Sequence, residues 1–169
     1  SYVVIEATRS LPLRDLPIQT PLEPAIGKCL ARKLVVVPIL RAGLGMLGPV
    51  LNILPEVEVG FVGLERDEAT ALARSYYCKM PPLDGKRVLL VDPMLATGGS
   101  ADYAIEFIKE RGGVEVHFAC IVAAPEGVAK IEERHPEVEI TTAALDRELN
   151  PQKFICPGLG DYGDQLYTT

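Results

Sequence analysis

The sequence predicts an α/β fold built on a parallel sheet, and three observations carry that prediction. Apolar runs of strand length, such as Leu34-Val35-Val36-Val37-Pro38-Ile39-Leu40 and Arg87-Val88-Leu89-Leu90-Val91, are continuous rather than alternating, as in strands covered on both faces. Segments of helical period lie between such runs. Strand, helix, strand, helix in this order implies parallel strands joined by right-handed crossovers.

Taken in order, the chain opens on Ser1-Tyr2-Val3-Val4-Ile5-Glu6, residues of strand character with no basic stretch leading an apolar core, so no signal peptide is visible. The abrupt start points to a segment lost ahead of it. Leu34 to Leu40 reads as a buried strand, Gly43 to Leu54 as a helix and Val57 to Leu64 as the next strand. A polar stretch from Glu65 to Pro82 follows, whose composition suits a mobile flap or a solvated hairpin. Arg87 to Val91 is bounded by turn signals and reads as a central strand. Ala101, Ala104, Ile105, Phe107 and Ile108 mark one face of a helix from Ser100 to Arg111, stopped by Gly112-Gly113. Val114 to Ala124 is a strand, Pro125 to His135 a short helix with Pro136 just beyond it, and Ile140 to Leu145 a last strand.

Composition bounds the function. A chain of 169 residues suits one domain, residues 1–169, and needs no disulfide or metal to hold it. No apolar run is long enough to cross a bilayer, so no membrane partner is expected. A net charge of −6 argues against a protein that coats nucleic acid. Segment 102–148 carries five basic and eleven acidic residues, and the rest of the chain is balanced. Cys29, Cys78, Cys120 and Cys156 form no CxxC pair or metal-like spacing with His117 and His135. A reduced, cytoplasmic protein with no protein-held metal is the expectation. His117 alternates with apolar residues and reads as structural, and His135 sits at a helix end, where a cation favours the dipole.

In parallel sheets ligands sit beyond the carboxyl ends of the strands. After the strand ending at Val91 comes Asp92-Pro93-Met94-Leu95-Ala96-Thr97-Gly98-Gly99-Ser100, then a helix. Two glycines let the backbone approach an anion, Thr97 and Ser100 add hydroxyl donors, and the helix start presents unpaired N–H groups. Asp92 can accept hydrogen bonds from hydroxyl groups such as those of a ribose. A bare helix cap, with Ser100 as capping residue, is the plainer alternative. Neither GxxxxGK[ST] nor GxGxxG occurs.

An acid followed by Thr-Gly-Gly-Ser at a helix start resembles the phosphoribosyl diphosphate (PRPP) loop of type I phosphoribosyltransferases. Pro93, in place of a second acid, resembles the uracil phosphoribosyltransferase branch of that family. The resemblance extends through Glu6-Ala7-Thr8-Arg9, Pro38-Ile39-Leu40-Arg41-Ala42-Gly43-Leu44-Gly45-Met46, Ala123-Ala124-Pro125-Glu126-Gly127 and Pro157-Gly158-Leu159-Gly160-Asp161, in the family's order. It implies a type I phosphoribosyltransferase fold, with a central parallel sheet flanked by helices, a flexible β-arm at about 65–82 and a C-terminal hood at about 150–169. The implied activity is transfer of 5-phosphoribosyl from PRPP to N1 of uracil, giving UMP and diphosphate.

The same resemblance implies the site. Arg41, Ala42 and Gly43 match the diphosphate loop, and Arg66 matches a PRPP contact from the arm. Asp92, Pro93, Met94, Leu95, Ala96, Thr97, Gly98, Gly99 and Ser100 match the PRPP loop. Ile155, Gly160, Asp161 and Tyr162 match the uracil-binding hood, Asp161 also facing PRPP. Arg41, Arg66, Asp92 and Asp161 are the implied catalytic residues. Tyr162 stands where the family usually has Ala and Phe154 where Tyr is common, which bears on the size of the base pocket. Tyr76 and Tyr77 either line the site or pack the hairpin, and packing is the expectation. Mg2+ is implied as a cofactor bound mainly through PRPP, with homo-oligomers and GTP as an allosteric activator. Three other readings stay open: a nucleotide-sensing or RNA-binding regulator, an enzyme for another base, and the transferase-like half of a uridine kinase fusion.

Overall fold

The computed structural model describes residues 1–66 and 73–168, with the side chains of 65, 66, 73 and 74 outside the description. Helix α1 (Tyr2–Thr8) leads into a hairpin of β1 (Leu13–Gln19) and β2 (Pro24–Leu30). The central unit follows as β3 (Leu34–Leu40), α2 (Leu44–Ile53), β4 (Glu58–Val59), β5 (Phe61–Arg66), β6 (Ala73–Lys79) and β7 (Arg87–Val91). Next come β8 (Met94–Leu95), α3 (Gly99–Glu110), β9 (Val114–Ala123), α4 (Pro125–Arg134) and β10 (Glu139–Leu145). A small ladder of β11 (Glu148–Leu149) with β12 (Ile155–Cys156) and helix α5 (Tyr162–Tyr167) close the chain.

The main sheet runs β10-β9-β7-β3-β5-β6, with β4 beside β3 and β8 beside β9. Its ladders are parallel except for β6, which returns antiparallel on β5. The continuous apolar runs have the physical cause that the sequence predicts: both faces are covered. Val35, Val37, Ile39, Val88 and Leu90 pack toward Ala101, Ile105 and Ile108 of α3 and Ile131 of α4. Val36, Leu89 and Val91 pack toward Val4 and Ala7 of α1 and Met46 and Val50 of α2. Pro38 fits a central strand because β3 passes from β4 to β5 across Val37 and Pro38, which pair only with β7.

Two expectations are corrected. Tyr2 to Ile5 are helical, not extended, because Val4 and Ala7 are one turn apart on one face and both bury in the core, overriding the preference of β-branched residues. The single strand expected over 57–64 is two short strands interrupted at Gly60, where a side chain would strike Met80 Sδ. The four cysteines are free thiols, and burial pushes Cys120 up to about 11, as expected of a packing residue.

Candidate active site

The loop after β7 is held from three sides. Pro93, Leu95 and Gly98 are buried, and Leu95 packs in the core, so it turns only its backbone outward. The short strand β8 joins the Val122–Ala123 end of β9, with Ala124 N–H donating to the Leu95 carbonyl at 2.8 Å. Gly98 caps α3 with φ +76°, the left-handed region that favours glycine. Ser100 makes no side-chain cap, so the plainer capping alternative fails and its hydroxyl stays available. Thr97 Oγ1 accepts from Gly99 N–H at 3.4 Å, which ties the loop to the first turn of the helix.

Gly127, in the first turn of α4, makes this arrangement possible. A side chain there would come within 2.4 Å of the Ala96 carbonyl and 2.9 Å of the Leu95 carbonyl. The loop thus rests on bare backbone of α4. Asp92 stands where β7 ends, its amide donating to the Ala119 carbonyl at 3.2 Å. Burial pushes its carboxyl up to about 7, against a lowering hydrogen bond from the Met94 amide.

The neighbouring parallel strand β3 delivers Arg41 to the same end of the sheet. Gly43 closes that turn, and a side chain there would lie 2.7 Å from backbone atoms of Ile39 and Val91. Leu40, Arg41 and Ala42 line a cavity of about 430 Å³ together with Leu64, Tyr76, Asp161 and Gly163. Strands β3, β5 and β6 and the tail thus converge on one space. Arg66 ends β5, and its side chain lies outside the described residues, as do residues 67–72 of the expected arm.

The tail is fastened above. Asp161 caps α5, accepting from Asp164 N–H at 3.0 Å. Asp164 pairs with Arg41 at 3.3 Å, and the Tyr167 hydroxyl donates to the Arg41 carbonyl at 3.3 Å. Gly45 makes room, since a side chain there would lie 2.9 Å from Leu166 and 3.2 Å from the Tyr162 hydroxyl. The Tyr162 ring therefore extends toward α2. Ile155 is buried with Val122 and Ala124, leaving only its backbone to face a ligand. Gly158 and Gly160 have φ +56° and +72°, and Gly158 N–H donates to Asp146 Oδ2 at 2.8 Å.

The acidic surplus is answered locally. Asp102 lies just beyond the Asp92–Ser100 loop, yet His135, Lys130 and Arg134 surround it. Burial works to raise its pKa, and hydrogen bonds from His135, Arg134 and Lys130 outweigh that and hold it low. His135 is a buried link rather than an exposed cap: Lys109 Nζ donates to Nδ1 at 2.9 Å and Nε2–H donates to Asp102 at 2.8 Å. Asp102, Glu106 and His135 cluster within 4.8 Å as metal-type ligands. Arg134 bonds both carboxylates, so the cluster serves as a joint between α3 and α4. His117 likewise has structural partners, Thr141 at 2.7 Å and Glu139 at 3.3 Å.

The geometry now has known counterparts. The family model for uracil phosphoribosyltransferase matches residues 1–169. The chain belongs to the uracil phosphoribosyltransferase family. A uracil phosphoribosyltransferase of Streptococcus agalactiae is 51% identical over 166 residues, 97% of this chain and 79% of that protein. One from Salinibacter ruber is 51% identical over 170 residues, 100% of this chain and 81% of that protein. Among solved structures, the AQ2163 protein of Aquifex aeolicus superposes with TM-score 0.94 at 40% identity, covering 99% of this chain and 81% of that one. A purine phosphoribosyltransferase of Pyrococcus horikoshii shares the fold at TM-score 0.53 and 19% identity, over 68% of this chain and 69% of its own.

For this uracil phosphoribosyltransferase-family chain, sequence reading missed several contributors. Tyr76 lines the Arg41 cavity rather than only packing the hairpin. Glu126 reaches the tail, accepting from Leu149 N–H at 2.9 Å, and that bond holds its pKa low. Asp164 is the anionic partner of Arg41. Gly127 was visible within Ala123-Ala124-Pro125-Glu126-Gly127, but its purpose depends on a loop about thirty residues earlier in the chain.

Proposed function

We propose that this chain is a pentosyltransferase that moves 5-phosphoribosyl from PRPP to N1 of uracil, giving UMP and diphosphate in pyrimidine salvage. The observation that carries the proposal is the meeting of a phosphate-type loop and the Arg41 turn at the carboxyl ends of the adjacent strands β7 and β3. Breaking the bond from C1 to diphosphate leaves positive charge on the ribose ring, and N1 of uracil then bonds to C1. Catalysis of that kind is positioning and electrostatic stabilisation without a protein nucleophile.

Each matching residue has a place in this scheme. Thr97, Gly98, Gly99 and Ser100 hold the 5-phosphate at the start of α3, on a frame set by Pro93, Met94, Leu95 and Ala96. Arg41 offers paired donors to the leaving diphosphate, with Ala42, Gly43 and Arg66 beside it. Asp92 accepts from ribose hydroxyls, and Asp161 faces PRPP from the tail. Uracil presents acceptor, donor and acceptor along one edge, which backbone groups of Ile155, Gly160 and Tyr162 can match. The Tyr162 ring is directed toward Gly45, which supports recognition of the base through backbone groups at that position.

The residues fit a Mg2+ ion carried by PRPP rather than caged by protein. Asp92 is the only acid of its loop, and one carboxylate is too few to displace the ion's waters. Bound through PRPP, Mg2+ would offset the charge of the departing diphosphate. GTP activation and assembly into homo-oligomers belong to the proposal through the family. Assembly has support from the β1–β2 hairpin, an isolated ribbon whose Leu13, Leu16, Ile18 and Ile26 are exposed on both faces. A second copy of the chain would cover them. Among the described residues, no helix is long and apolar enough to cross a membrane.

Steady-state assays offering uracil, cytosine, orotate and hypoxanthine with PRPP test the activity. Turnover of uracil alone is expected, and folded protein without uracil turnover overturns it. GTP titrated into the same assay reads the activation.

A further inference from the structure

Tyr76 has a position that its hairpin does not require. Strand β6 pairs with β5 as Gly63 with Tyr77 and then Leu64 with Ser75, so Tyr76 is the extra residue of a β-bulge. Bulges of this kind occur beside active sites, where they re-aim one side chain. Here the re-aimed side chain is a large aromatic that remains 51% exposed while lining the cavity shared by Arg41, Ala42 and Asp161.

The strand beneath it is shaped to match. Gly63 sits under the Tyr76 ring, where a Cβ would lie 2.6 Å from Cζ. With glycine at 63, the ring can lie down against β5; any side chain there would lift it. Neighbouring Val62 is fully buried, so β5 itself has no freedom to withdraw. A bulge that delivers the ring and a glycine that receives it are two separate features with one result.

We propose that Tyr76 is a further substrate-contacting residue of the phosphoribosyl transfer. Its ring walls the diphosphate-bearing end of PRPP in the cavity it shares with Asp161 and excludes water from the reacting carbon. The inference rests on the activity proposed above. An aromatic face beside Arg41 supplies apolar cover and adds no charged acceptor to compete with phosphate oxygens for the guanidinium. The ring, rather than the hydroxyl, is the working part.

Three variants and a cycle test this. Tyr76→Ala is expected to lower kcat/KM for PRPP at least tenfold, to weaken PRPP in calorimetry, and to change KM for uracil less than threefold. Tyr76→Phe, which keeps the ring, is expected within threefold of wild type. Gly63→Ala is expected to reproduce the Tyr76→Ala loss and to add little further loss to it in the double variant, since both act on the same ring. Melting temperatures of Tyr76→Ala and Tyr76→Phe should stay near wild type because the side chain is half exposed.

Unchanged PRPP affinity and kcat/KM in Tyr76→Ala would overturn the proposal, as would additive losses in the double variant. If Tyr76→Phe loses as much as Tyr76→Ala, the hydroxyl is the contact and the ring assignment is wrong. Failure of the underlying activity is read separately: wild type would then show no uracil turnover, while calorimetry with PRPP still compares wild type with Tyr76→Ala.

Discussion

Asp92 shows how one residue can work against the fold and for the chemistry. Burial lifts its pKa from the ordinary carboxylate range to about 7. The folded state therefore binds the proton more tightly, and stability falls as pH rises from about 4 through about 7. In the proposed scheme the charged form is the stronger acceptor for ribose hydroxyls, and it becomes the majority form as pH passes about 7. Two outcomes follow: kcat/KM for PRPP should fall on the acid side of about pH 7, and Asp92→Asn should lose most turnover at pH 8 while melting no lower than wild type. A parallel loss of melting temperature and activity would mark Asp92 as structural instead. Gly127 has the opposite character. Gly127→Ala drives a methyl into the Ala96 and Leu95 carbonyls, which are backbone atoms and yield only if the loop itself shifts. A cost of about 1–3 kcal/mol is expected, with a rise in KM for PRPP because the phosphate loop must move off α4.

At the scale of elements, the loops are held in place by partners distant in sequence. Helix α3, which begins with the phosphate loop, is joined to α4 through Asp102, His135 and Lys109. Replacing His135 by Ala removes a buried ring and leaves both partners short of a bond. Thermal unfolding should show a loss of about 3 kcal/mol, and a loss below about 1 kcal/mol would show the joint to be dispensable. The tail is also reached from α4, where Glu126 accepts from Leu149 N–H. Glu126→Ala should raise KM for uracil severalfold while leaving PRPP binding by calorimetry close to wild type, since the phosphate loop does not use that contact.

For the whole molecule, charge and apolar surface divide by face. The acidic segment 102–148 contributes Asp102 and Glu106, neutralised where α3 meets α4, and leaves the Arg41 end to its own local charges. The β1–β2 hairpin exposes apolar side chains along its length, with Leu22 95% and Ile26 64% exposed. An isolated two-stranded ribbon is marginal in water. Ile18→Asp combined with Ile26→Asp should therefore lower the mass measured by light scattering, without loss of the main-sheet fold by circular dichroism. An unchanged mass would free the hairpin from any role in assembly.

The extent of legibility follows from how local each signal is. Strands β3, β7 and β9 and helices α3 and α4 could be read because continuous apolar runs and helical periods are properties of neighbours in sequence. The loop from Asp92 to Ser100 was equally plain, since an acid, two glycines and two hydroxyl residues at a helix start are a local pattern. Helix α1 was misread because only its packing of Val4 and Ala7 on the sheet outweighs its β-branched residues. The bulge at Tyr76, the clearance at Gly127, the reach of Glu126 and the pairing of Arg41 with Asp164 each join segments far apart in the chain. By itself, the sequence determined the parallel α/β architecture and the family, and it set out the Asp92–Ser100 loop as the place to look for a bound phosphate. Only the tertiary structure decided which side chains share the cavity with Arg41, because burial and close approach are set by the packing of distant elements.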